Sequence, residues 1–294
     1  MDHHHSHHIS ISSAFKTGII INMAFIAAES YFGIRSNSVA LLADAGHNFS
    51  DVITLLFSWF SILLSGLKPN FRFTYGFRRT TILSALINTL LLVSAVFFII
   101  SAAISKFRIH TEVHSSTVIL VATVGIIINA FTAWLFMKDK DSDLNIKSAF
   151  LHFIADAFVS LGVVAGGVIM AFTGLQWVDP LISLLVAGII LYNTYDLLIE
   201  SVNLALDAVP RSIDLTQIQD YLLSHKEVDS IHDLHVWALS TSETALTVHL
   251  VTNDTPDKNF IIRLTYHLQR TFNINHCTIQ IDHNEADNCE NPCN

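Results

Sequence analysis

Ala43-Asp44-Ala45-Gly46-His47-Asn48-Phe49-Ser50-Asp51 lies inside a long apolar run, where it sets an imidazole and a carboxylate four residues apart. His152-Phe153-Ile154-Ala155-Asp156 repeats the spacing inside a second apolar segment, Ala149–Ala171. On a helix, residues i and i+4 share a face one turn apart, so each pair aims both heads at a single point. Two such helices side by side would supply two imidazole nitrogens and two carboxylate oxygens, a set suited to zinc or a close relative. Ionisable residues at the centre of an inserted helix cost on the order of 2.5–3.5 kcal/mol each, so four of them demand a reason. Histidines bonded within their own helix, with carboxylates as polar glue between helices, would account for one pair. Two matched pairs with no Lys or Arg at the same depth favour a metal. An intramembrane zinc protease would need a Glu beside its first ligand His. Asn48 and Phe153 stand in those places, so the protease signature is not met.

The surroundings are those of a membrane protein with an attached domain. Of 294 residues, 51% are hydrophobic and 14% charged, and the apolar ones are bunched. Six runs are long enough to cross a hydrocarbon core of about 30 Å. They are Ala14–Phe32, Val39–Leu67, Thr80–Phe107, Thr117–Met137, Ile146–Phe172 and Val178–Leu198. No cleavable signal is visible ahead of the first run, so that run is expected to be kept. The second-to-third connection carries Lys68, Arg72, Arg78 and Arg79, and the fourth-to-fifth carries Lys138, Lys140 and Lys147. Only Arg35, Lys106 and Arg108 lie on the other side. The positive-inside rule then puts both termini in the cytoplasm of a multi-pass protein in a cell membrane, expected to be a bacterial inner membrane. A net charge of −9 makes nucleic acid an unsuitable partner.

In the first span, Asn22 and Glu29 share a face turned toward the bundle interior, for a hydrogen bond to a neighbouring helix or for ion contact. Gly162, Gly166 and Gly167 would let the fifth span approach the second closely. After Glu200 the pattern changes. Leu215–Ser224 is amphipathic, Ser230–Ser240 and Glu243–Thr252 alternate, Asp257–Thr271 has a helical period and His276–Asp282 is a last strand. The resulting αββαβ order fits a small α+β layer. Alternation places His235 and Trp237 on the face opposite His232. Arg78 or Arg79 is a candidate partner for Asp207. Cys277, Cys289 and Cys293 all lie in the tail, and a reducing cytosol leaves them as thiols or metal ligands. The His3, His4, His5, His7 and His8 tract, interrupted by Ser6, is either an expression tag or a native metal-gathering segment.

Asn37-Ser38-Val39-Ala40-Leu41-Leu42-Ala43-Asp44-Ala45-Gly46-His47-Asn48-Phe49-Ser50-Asp51, with Tyr75-Gly76-Phe77-Arg78-Arg79 after the next loop, strongly resembles the cation diffusion facilitator family. The His-x-x-x-Asp of the fifth span, Asp179-Pro180, and His232-Asp233-Leu234-His235-Val236-Trp237 extend the resemblance from Ala14 to His283. The resemblance implies an all-α bundle of six transmembrane helices with a ferredoxin-like cytosolic domain. It implies a homodimer that exchanges zinc for protons across the lipid bilayer, with His47, Asp51, His152 and Asp156 as the transport site. His at position 47 fits the zinc-preferring branch. In the tail, His232, His249 and His283 match positions that bind regulatory zinc, Glu285 stands where a bridging Asp is often found, and His276 matches a ligand of animal vesicular zinc transporters. Those transporters also suggest a site made by Cys289 and Cys293 with the N-terminal His3, His4, His5, His7 and His8 of a partner protomer. Lys68 and Tyr75 replace the Asp and His that form an extra loop site in some bacterial members. The expected segments are a tail at 1–13, a membrane domain at 14–200, a metal-sensing domain at 201–287 and a Cys-containing end at 288–294. A membrane protein that senses zinc at the same site without moving it is the alternative reading, and cadmium and cobalt suit the same ligands.

Overall fold

The computed structural model describes residues 13–108, 112–137, 144–252, 257 and 259–282. Six long helices come first: α1 (Ser13–Arg35), α2 (Val39–Ser65), α3 (Thr80–Arg108), α4 (Ser115–Met137), α5 (Leu144–Thr173) and α6 (Val178–Ala205). At 1.5 Å per residue, even a 23-residue helix such as α1 spans about 34 Å, enough for a bilayer core. Among the described residues, Thr80–Arg108, Ser115–Leu135, Phe150–Thr173 and Val178–Ala205 are long and apolar enough to cross a membrane. The expected runs correspond one for one to the helices, whose ends lie within about three residues of theirs except at α6, which runs seven residues further to Ala205. The chain then continues as α7 (Leu215–Leu223), β1 (Ser230–Ala238), β2 (Thr244–Val251), α8 (Phe260–Thr271) and β3 (His276–Asp282). This is the αββαβ order expected for the tail.

The chain forms two compact units, one of Met1–Leu56 with Leu90–Tyr195, the other of Phe57–Thr89 with Asp196–Asn294. In the first, Phe25, Leu41, Val118, Val121, Val163 and Met170 pack α1, α2, α4 and α5 together. Ala43, Leu92, Val96, Ile99, Val186 and Ile190 join α2, α3 and α6. The α5 glycines serve other neighbours than the expected one. A Cβ on Gly166 would come within 2.8 Å of Ile182 on α6, and one on Gly167 within 2.8 Å of Ile119 on α4, whereas Gly162 faces open space. Close approach is therefore made to α6 and α4, while α5 meets α2 through the apolar cluster of Leu41 with Val163 and Met170 and through polar side chains. Where α1 turns into α2, Asn37 takes the left-handed conformation (φ 53°). Asp179, fully buried at the start of α6, accepts from Ser38 Oγ at 2.5 Å, from the Val39 amide at 2.9 Å and from Lys106 Nζ at 2.9 Å. The buried carboxylate thus has a full set of partners, one of them a cation.

In the second unit, α7 and α8 cover one face of a three-stranded sheet ordered β1-β2-β3, with β1 and β2 antiparallel and β2 and β3 parallel. Asp214 caps α7 by accepting from the amides of Thr216 and Gln217. Ile218, Leu222, Val236, Leu246, Val248, Leu250, Phe260, Leu264 and Leu268 fill the core beneath. The segment between α2 and α3 belongs to this unit. Arg78 pairs with Glu243 at 2.7 Å, Arg79 with Asp207 at 2.5 Å, and the Thr241 amide donates to Thr81 Oγ1 at 3.1 Å.

Alternation along β1 is broken. His232 pairs with His249 but His235 pairs with Thr247, so β1 carries one residue more than β2 between these points. Asp233 there has φ 50°. A bulge of this kind shifts the phase of the side chains. His235 and Trp237 consequently share the face of His232, and Val236 and Ala238 turn to the buried side, contrary to the expectation from simple alternation.

Candidate metal centre

His47 and Asp51 lie one turn apart on α2, and His152 and Asp156 one turn apart on α5. The two helices bring all four together. His47 Nδ1 is 3.6 Å from Asp51 Oδ2, and His47 Nε2 is 3.5 Å from Asp156 Oδ1. His152 Nε2 is 3.4 Å from Asp51 Oδ2 and 3.4 Å from Asp156 Oδ2. The two imidazoles face edge to plane, with centroids 6.3 Å apart and planes at 75°. Single donor atoms from His47, Asp51 and Asp156 fall within 4.8 Å of one another, and His152 closes the group from the α5 side.

Donors 2.0–2.1 Å from a tetrahedral ion are separated from each other by about 3.3–3.4 Å. The four contacts approach that edge length without being hydrogen bonds of good geometry. His47 Nδ1 and Asp51 Oδ2 are buried without a hydrogen-bond partner. Buried polar atoms are normally satisfied, so two donors aimed at a common point fit a cation. His47 meets Asp51 with one nitrogen and Asp156 with the other, and only one of them can face an ion. Asp156 is 3% exposed, His152 39%; the cluster is closed behind Asp156 and open at His152.

A second convergence lies on the sheet face away from the helices. His232 Nε2 and His249 Nδ1 each stand 3.0 Å from Asp282 Oδ2, and their rings are 4.8 Å apart. Burial alone would raise the Asp282 carboxyl, but hydrogen bonds with Gln280, His249 and His232 outweigh it and hold the group below its ordinary range. Sequence reasoning alone does not single out Asp282. The apolar alternation of Cys277, Ile279 and Ile281 turns residues 276, 278, 280 and 282 outward, and the parallel register sets Asp282 opposite Val251. Placing it beside His249 therefore requires the pairing of β2 with β3. The two nitrogens and one carboxylate are a donor set that zinc accepts, with no fourth ligand among the described residues.

His276 does not join this cluster. It opens β3 opposite Ala245, six residues before Asp282 or about 20 Å along the strand, and its ring packs edge-on against Tyr75 at 5.5 Å. Cys277 faces the core, where burial pushes its thiol up to about 11, which suits packing better than ligation. His283, Glu285, Cys289, Cys293 and the histidines His3, His4, His5, His7 and His8 lie outside the described residues.

Residues 16–204 match the cation efflux transmembrane domain, and residues 210–284 match the cytoplasmic domain of cation efflux proteins. The chain is similar to the metal cation efflux system protein CzcD of Cupriavidus metallidurans, 34% identical over 283 residues that cover 95% of this chain and 89% of the relative. It is similar to the cadmium, cobalt and zinc/H(+)-K(+) antiporter of Bacillus subtilis, 31% identical over 297 residues covering 99% and 94%. The zinc transporter ZitB of Pectobacterium atrosepticum is 32% identical over 291 residues covering 98% and 91%. With both domains matched in order over nearly the whole length, the chain belongs to the cation diffusion facilitator family of multi-pass cation efflux transporters.

Proposed function

We propose that this transporter exports zinc from the cytoplasm in exchange for protons, with His47, Asp51, His152 and Asp156 as the ligands of the ion in transit. The observation that carries the reading is the set of four imidazole–carboxylate separations of 3.4–3.6 Å drawn from two helices. Relatives named for cadmium, cobalt and zinc, and for zinc alone, support the same ion class. An ion entering the bundle sheds water, and four protein donors replace the shell while two carboxylates balance its charge. Binding needs neutral imidazoles and ionised carboxylates, so protons compete with the metal for the same lone pairs. That competition lowers metal affinity as pH falls, which exchange of metal for protons requires.

In this reading residues 14–200 move the ion with both termini in the cytoplasm, and residues 201–287 sense it. His232, His249 and Asp282 would hold a regulatory zinc, and the match to the cytoplasmic domain of cation efflux proteins supports the tail as the site where two protomers meet. The test is zinc accumulation in proteoliposomes under an imposed pH gradient, beside the His47→Ala and His152→Ala variants. Accumulation by the intact protein and none by the variants is expected. Equal accumulation by all three would sink the assignment, and binding without accumulation would make the protein a sensor.

A further inference from the structure

One helical turn along from the metal cluster, on the same two helices, stands a second set of polar side chains. Asp44 precedes His47 by three residues on α2, and Ser160 comes four after Asp156 on α5. Asp44 and Glu29 of α1 are each 0% exposed. The Glu29 carboxyl lies within hydrogen-bonding reach of Asp44 and Asn48, but neither of its oxygens makes a hydrogen bond of good geometry. Asp44 Oδ1 and Asn48 Nδ2 are likewise buried without one. Asp44 Oδ2 alone is satisfied, accepting from Ser160 Oγ at 2.9 Å.

The charged surroundings do not neutralise this pair. α4 packs on α1 through Gly125 against Phe25 and through Thr132 bonded to Asn22, and it contains no titratable residue. From α2 and α5 the titratable groups that face Asp44 are His47 and Asp156, both already turned to the metal cluster. Two apposed carboxylates in a medium of low dielectric cannot both stay ionised unless a cation sits with them. Unsatisfied buried oxygens from two helices, with a hydroxyl and an amide beside them, are what such a cation would occupy. Glu29, Asp44 and Ser160 offer oxygens, with the Asn48 amide nitrogen placed to donate to a carboxylate, whereas the neighbouring cluster mixes imidazole nitrogen with carboxylate. Oxygen sets favour hard cations and leave softer ions to the nitrogen site.

We infer that Glu29, Asp44, Asn48 and Ser160 form a binding site for one hard monovalent cation, a proton or an alkali-metal ion, which is the counter-ion of the exported metal. The inference rests on the export reading above. Because the two sites share α2 and α5 one turn apart, occupancy of one sets the field and the helix positions felt by the other, and the coupling is reciprocal. Glu29 lies on α1, outside the two helices that carry the proposed metal ligands.

The experiment uses the full-length protein in liposomes that enclose a zinc-sensitive dye, with zinc binding in detergent measured separately. One arm imposes a pH gradient at uniform sodium and potassium, and the other imposes a sodium or potassium gradient at uniform pH. Glu29→Gln should still bind zinc and let it pass down its own gradient, while losing the acceleration that the counter-ion gradient gives the intact protein. Glu29→Asp should recover part of it. Loss in the pH arm identifies a proton, and loss in the alkali arm identifies a metal ion. If Glu29→Gln fails to enter the membrane fraction, Asp44→Asn puts the same question. Gradient acceleration equal to that of the intact protein overturns the counter-ion site and leaves metal export standing. Loss of zinc binding in both variants also overturns it, by making the pair part of the metal centre. Absence of zinc flux in the intact protein overturns the export reading, and the counter-ion falls with it.

Discussion

Asp156→Asn tests the metal centre most severely. Asp156 touches both histidines, at 3.5 Å and 3.4 Å, and is the least exposed of the four proposed ligands at 3%. A closed four-ligand zinc site contributes about 10–16 kcal/mol, or roughly 2.5–4 kcal/mol per ligand, so removing one should weaken binding by about two to three orders of magnitude. Asp51 is 26% exposed against 3% for Asp156, so although its Oδ2 is itself buried, solvent lies nearer to the gap its loss would leave. Asp51→Asn should therefore lose less affinity than Asp156→Asn. The measurement is competition for zinc against a chelator of known affinity at fixed pH, with thermal unfolding as the check that each variant is intact. A loss below about tenfold for Asp156→Asn, or a larger loss at Asp51, would refute the geometry argued for the site.

His47→Asp makes the cluster harder and richer in oxygen, so discrimination between zinc and cadmium should weaken in competition uptake; an unchanged profile would assign selectivity to helix packing. Arg79 and Asp207 are about half exposed, so their pair should couple by only about 0.2–1 kcal/mol in a double-mutant cycle read by unfolding, and exchanging the two charges should restore most of it. Leu250→Ala empties a fully buried core position and should destabilise the tail by about 2–5 kcal/mol, seen as faster hydrogen exchange in β2 and β3. In the metal-free protein, the depressed Asp282 carboxyl contributes stability above the ordinary carboxylate range, and this is lost as pH falls through the lowered value. Asp282→Asn should accordingly flatten the rise in β3 exchange, corrected for intrinsic rates, below about pH 4.

The sequence displays local periods directly, and what it displays least is partnership. His-x-x-x-Asp is legible because four residues make one helical turn, and the αββαβ order is legible because alternation and helical period differ. That α5 glycines pack on α6 and α4 is not legible, since small residues announce a close approach without naming the neighbour. The Lys106–Asp179–Ser38 contact joins α3 and α6 to the residue that precedes α2 through residues with no shared spacing. Glu29 is visible as a buried carboxylate, but its apposition to Asp44 depends on how α1 packs beside α2. Asp282 escapes for the same reason, because its role depends on register between strands distant in sequence. The bulge does leave a trace: Ile231, Leu234, Val236 and Ala238 step by three, two and two, and the first step breaks the phase.

That phase step makes β1 unusually forgiving of one kind of change in length. Without Asp233, Leu234 would stand directly opposite Val248, while His232 and His235 would keep His249 and Thr247 as neighbours. A single-residue deletion at this point would leave every apolar side chain of β1 facing inward, whereas the same deletion at Val236 or Trp237 would invert the remainder of the strand. With Asp233 gone, β1 would only straighten and lose the extra twist that the bulge imparts. Since His232 is the neighbour of Asp233, with Nδ1 3.9 Å from its carboxylate, gain or loss of this residue would alter the aim of one imidazole without re-phasing the core. Length variation among homologous tails should therefore gather at this position, where core packing does not oppose it.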